Sequence, residues 1–161
     1  MAGTFHPTRY NESMDIKAQL EFALKEAMKA GDDVRRRTIR MVLAAVRQAE
    51  IDRQVKLDDP SVLAIIQKEI KTRKDAVEEA RGANRPDIVA ATEAEIVVLQ
   101  AYLPQALSEE ELKALVIAAI AEAGASTPAD MGKVMKLLMP RTAGRAPGDQ
   151  VSSAVRQLLQ K

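Results

Sequence analysis

Lys133, Lys136, Arg141 and Arg145 fall within thirteen residues of one another, and cations at that density could hold a polyanion. Lysine and arginine pair with phosphate oxygens whatever the base sequence. The plainer alternative is that cations near a helix C-terminus complement its dipole. A second set, Arg36, Arg40 and Arg47, occupies one narrow angular sector of a helical segment beside its apolar stripe, so it could track a phosphate backbone. Such side chains are more often solvated or paired with nearby acids, as Arg47 could be with Glu50. Lys68, Lys71, Arg73 and Lys74 spread around their helix and mark no single face.

Residues for covalent or metal chemistry are scarce. There is no cysteine, which excludes thiolate zinc sites and a cysteine nucleophile, and one histidine, His6, which excludes a multi-histidine metal site and lies in an N-terminal stretch without periodicity where no triad is expected. The run Gly132-Lys133-Val134 lacks the upstream glycine spacing and the following Ser or Thr of a phosphate-binding loop. Glu109, Glu110 and Glu111 are explained as helix-start residues. No catalytic residue, metal ligand or cofactor is assigned, and no independent enzymatic activity is expected.

These side chains need a scaffold, and the sequence describes an all-α one. The 161 residues are 47% apolar, 2% aromatic and 29% charged, a composition for an aliphatic core inside amphipathic helices. Apolar residues recur at three and four throughout. Ser13 can cap a first helix from Met14 to about Ala30, facing Ile16, Leu20, Ala23, Leu24 and Ala27 inward; Gly31 ends it. A second helix, capped by Asp32 or Asp33, runs to about Val55 around Ile39, Val42, Leu43 and Val46. Asp59-Pro60 opens a third, which buries Leu63, Ile66, Ile70 and Val77 and is closed by Gly82. Pro86 begins a fourth, ended near Leu103 by Pro104.

Ser108 and Glu111 form a capping box, with Leu107 and Leu112 as its hydrophobic staple, for a fifth helix ending at Gly124. Thr127, Pro128 and Asp130 start a sixth, which Pro140 stops, and Asp149 can cap a seventh. Along the sixth, Met131, Met135 and Met139 share a face. With Val134 and Leu138 they could offer a soft groove to a partner helix, although core packing is the commoner role. The expected organisation is a disordered extension over 1–13, a long-helix domain over 14–103 and a small helical tail module over 104–161.

The charge is uneven. Residues 1–83 carry 16 basic and 14 acidic side chains, 84–123 carry 2 and 7, and 124–161 carry 6 and 2. The basic end points weakly to an anionic partner. No apolar run approaches the roughly 20 residues that span a bilayer, and the first thirteen residues lack the apolar core of a secretory signal. A cytoplasmic protein without a membrane partner is the expectation.

The segments MDIKAQLEFALKEAMKAGD, IRMVLAAVRQAEI, IQKEIKTRKDAVEEA, YLPQALSEEEL and GASTPADMGKVMKLLMPRTAGRA, taken in order, resemble the YqeY family. The last of them also resembles the tail of the B subunit of glutamine-dependent tRNA amidotransferases. The resemblance implies an all-helical protein without that subunit's kinase-like core, associated with tRNA or with an aminoacyl-tRNA-related enzyme rather than acting alone. The nucleophile and nucleotide site that amidotransfer needs are not visible in this chain. Two alternatives accompany the tRNA reading: a helical protein–protein adaptor, and an accessory to carbon–nitrogen ligation. Where the family reads Gly-Arg-Ala-Asp-Gly, this chain has Gly144-Arg145-Ala146-Pro147-Gly148, which puts any role of that acid in doubt here.

Overall fold

The structure, a computed structural model, describes residues 14–160. The extension expected over 1–13, with His6 and the Ser13 cap, lies outside them. Among the described residues there are seven α-helices and no strand: α1 Ile16–Ala30, α2 Asp33–Arg53, α3 Asp59–Gly82, α4 Pro86–Gln100, α5 Glu109–Ala123, α6 Met131–Thr142 and α7 Gly148–Leu159, with a single 3₁₀ turn, Pro128–Asp130, before α6. The chain divides into two compact units, one ending at Leu103 and the other running Pro104–Lys161.

The first unit packs α1 to α4 around Leu20, Ile39, Val42, Val46, Val62, Ile66 and Leu99. Asp15 caps α1 by accepting from the Ala18 N–H at 2.7 Å. Asp32 and Asp58 do the same for α2 and α3, each satisfying a donor that the first helical turn leaves over. The Ile16 N–H donates to Asp59 Oδ1 at 2.9 Å, tying the starts of α1 and α3 together. Glu50 accepts from Lys17 at 2.7 Å and from the Leu57 N–H at 3.1 Å.

Several helix ends differ from the sequence expectation. Helix α3 runs through Gly82, and Asn84 takes the left-handed conformation instead, at φ 55°, which asparagine tolerates better than most residues. Helix α4 stops at Gln100, three residues early. The Tyr102 and Leu103 N–H groups make tight turns back to Leu99 and Gln100, because the residue before Pro104 is pushed out of the helical region.

The second unit packs α5, α6 and α7 around Leu112, Val116, Val134, Leu138, Val151 and Val155. Ser108 and Glu111 make the expected capping box, at 3.1 and 2.8 Å. Pro140 does not stop α6. It has no N–H to give the carbonyl of Lys136, but it faces solvent, and the helix continues to Thr142. The buried Thr142 hydroxyl donates to the Leu138 carbonyl at 3.0 Å.

Nor does Asp149 cap α7. The N-cap position is held by Pro147, which offers no side-chain acceptor, and Asp149 accepts from the Gln150 N–H at 3.0 Å inside the first turn. The acid that the family carries at this position would therefore stand where a helix is capped. Pro147→Asp is expected to stabilise the chain by about 1 kcal/mol; a urea midpoint that stays put or falls would refute that role for the position.

Candidate nucleic-acid interface

The four tail cations do not form one patch. Lys133 and Lys136 lie one turn apart on the exposed face of α6, beside Pro140. Lys133 has only a loose pair with Asp130, 3.9 Å away, and Lys136 has no acidic partner among the described residues. Arg141 leans the other way and pairs with Glu122 of α5 at 2.7 Å.

Arg145 is a structural residue. Its Nε donates to the Gln105 carbonyl at 3.0 Å, and its own carbonyl accepts from the Leu107 N–H at 2.8 Å. It thereby pins the segment entering α5 to the α6–α7 loop, which turns at Gly144 with φ 73°, a value for which glycine is the usual choice. The basic character of residues 124–161 is diluted as well. The unit they belong to, residues 104–161, holds seven basic and six acidic side chains.

On α2, Arg36 pairs with Asp33 at 2.7 Å, and Arg40 places its guanidinium 3.8 Å from the Met28 sulfur. The Arg47–Glu50 pair is not made, since Glu50 is engaged by Lys17 and Leu57. Arg40 and Arg47 are exposed, with no acidic partner among the described residues. The methionine face is mostly a margin of the core. Val134 and Leu138 are buried, Met131 and Met135 pack against them, and Met139 is exposed.

One residue was misread from sequence. Arg73 is buried, its side chain 7% exposed, with Nη1 2.6 Å from Glu69 Oε2 and Nε 2.9 Å from Glu95 Oε2. Arg37 reaches the other oxygen of Glu95 at 3.1 Å, so α2, α3 and α4 share one ion cluster. The signal was available: Ile66, Ile70, Arg73 and Val77 continue one 4-3-4 stripe, and Glu69 precedes Arg73 by one helical turn. A buried cation whose charge is met by two carboxylates is not available to an external anion, which removes Arg73 from any phosphate site.

The carboxylates near these cations have fixed roles. Hydrogen bonds from the Ser126 and Thr127 N–H groups hold Asp130 below its ordinary value. The Ser108 N–H does so for Glu111, and the Lys17 ammonium, with the Leu57 N–H, for Glu50. A carboxylate depressed on folding contributes stability that is complete above its unfolded value and is lost as pH falls through the folded one. The melting temperature should hold until the pH nears the ordinary glutamate value of 4.5, then drop. Glu50→Gln should flatten that drop in melts followed by circular dichroism; an unchanged slope would remove Glu50 from the account. Among the described residues, no group of three or more His, Cys, Asp or Glu is placed to hold a metal ion, and no single helix is long and apolar enough to cross a membrane.

Comparison with known proteins places this chain in a family. The model described as "Yqey-like protein" matches residues 17–159. The curated relatives include proteins named "Altered inheritance of mitochondria protein 41, mitochondrial". The one from Lachancea thermotolerans is 40% identical over 118 residues, 71% of this chain and 63% of that protein. The one from Vanderwaltozyma polyspora is 37% identical over 104 residues, 63% of this chain and 56% of that protein. The one from Pyrenophora tritici-repentis is 30% identical over 147 residues, 89% of this chain and 81% of that protein. The chain thus spans less than two thirds of the length of the first two. The expected cytoplasmic location is corrected by these names: the relatives are designated mitochondrial, and a missing signal pattern in thirteen residues could not have decided the compartment.

Proposed function

The chain belongs to the YqeY family, and from that premise we propose that it acts as a non-catalytic partner of a folded RNA such as tRNA, with Lys133 and Lys136 of α6 on the phosphates. The observation that carries the reading is the exposed pair of lysines, one turn apart, whose sole acidic contact among the described residues is the loose Lys133–Asp130 pair at 3.9 Å. With aromatics at 2%, stacking on unpaired bases is poorly served, whereas contact with the backbone of a folded RNA needs only placed cations. Arg141 adds a third charge at the edge once its exposed pair with Glu122 opens, which costs little. In this reading any carbon–nitrogen ligation belongs to an associated aminoacyl-tRNA-related enzyme.

The test is fluorescence anisotropy with bulk tRNA over a salt series, using duplex RNA of equal length as competitor. Lys133→Ala with Lys136→Ala is expected to weaken binding and reduce the salt slope by about one per lysine. Arg145→Ala should act instead through stability, by releasing Gln105. Binding no tighter than to the duplex, or unchanged in the double variant, would refute the proposal.

A further inference from the structure

Helix α2 carries a second surface that the RNA reading does not use. Arg40, Ala44, Arg47 and Ile51 follow a 4-3-4 spacing, which places them along one narrow face of the helix. All four are exposed. Ile51 is 62% exposed and Val55, just beyond the helix end, is 55% exposed. Met28 of α1, 52% exposed, continues the apolar strip beside Arg40. Small Ala44 at the centre would let a second backbone approach closely. The two arginines on this face have no acidic partner among the described residues, while neighbouring Arg36 and Arg37 are already paired with Asp33 and Glu95.

We propose that this face docks an acidic amphipathic helix of a partner protein, with its aliphatic side chains on Ala44, Ile51 and Met28 and its carboxylates on Arg40 and Arg47. A phosphate backbone would be held by the arginines but would gain nothing from the aliphatic strip. A helix with both features satisfies the whole face. The partner's charge follows from two guanidinium groups without an acidic partner among the described residues, and its helical form matches the single straight face of α2 that carries them. The surface goes beyond the RNA reading, since it lies in the other unit and shares none of its residues.

The experiment is a selection from a displayed library of random peptides of helix-forming length, with the full chain as bait and its R40E/R47E variant as counter-bait. Recovered peptides should carry aliphatic residues at three- and four-residue spacing flanked by Asp or Glu. A synthetic copy should bind the wild type about tenfold more tightly than R40E/R47E or I51S. Amide shifts on titration should centre on α2. Binding of tRNA should survive R40E/R47E and be weakened in K133A/K136A, so the two proposals fail separately. Should R40E/R47E lower the melting temperature, R40Q/R47Q replaces it. Peptides without acidic residues, peptides that bind both baits equally, or tRNA binding lost in the α2 variant would each overturn the proposal.

Discussion

Glu95→Leu is expected to destabilise the first unit by about 3 kcal/mol, and adding Arg73→Met should recover most of the loss. Arg73 sits among apolar neighbours on the buried stripe of α3, with its charge met by Glu69 at 2.6 Å and Glu95 at 2.9 Å. Burial pulls the guanidinium down, and the two carboxylates more than reverse it, so it remains charged. Removing Glu95 leaves Nε facing the interior without its acceptor and strips Arg37 of its partner. A buried donor left unmatched carries its full desolvation cost, whereas an apolar pair of similar volume carries none. Urea unfolding of the two single variants and the double one gives the coupling directly. Strictly additive losses would mean that the cluster is no more than three independent surface pairs.

Leu138→Ala should cost about 2–5 kcal/mol, and Met139→Ala, one residue along, no more than about 0.5 kcal/mol. Leu138 is fully buried, and its carbonyl accepts the Thr142 hydroxyl in the last turn of α6. Truncation there opens a cavity in a core that only three helices enclose, with little chain available to collapse into it. Met139 is 42% exposed and leaves no cavity behind. Urea midpoints followed by circular dichroism would show the contrast. Equal losses at the two positions would mean that Met139 is packed into the unit, contrary to its exposure.

Much of the scaffold was legible because it is local. The caps at Asp32 and Ser108, the break at Gly124 and the inward stripes of α2 and α3 follow from a period of 3.6 and from backbone groups that need partners near in sequence. The boundary errors come from the same locality. Pro140 reads as a stop because a proline removes one helical bond, but the burial of Leu138 and Thr142 on the opposite side carries the helix past it. Asp149 reads as a cap from residue type alone, but Pro147 holds that position on α7, and α1 is capped by Asp15, which the helix expected from Met14 encloses.

The binding residues were less legible. Lys133, Lys136, Arg141 and Arg145 look equivalent along the chain, yet one pair faces water, one pairs with Glu122 and one holds a loop. Arg47 could pair with Glu50 by their i, i+3 spacing, but Lys17, thirty-three positions away in sequence, takes that carboxylate. Arg73 looked like one more surface cation until two helices closed over it.

The sequence by itself determined the helical class and most of the helix starts, because propensity, capping and apolar periodicity act over one or two turns, while the family came from the resemblance of whole segments in order. Only the tertiary structure decided which cations remain available to a ligand. A charge is spent or left free by partners that packing brings from distant helices, and no spacing rule along one helix reports what the neighbouring helix carries.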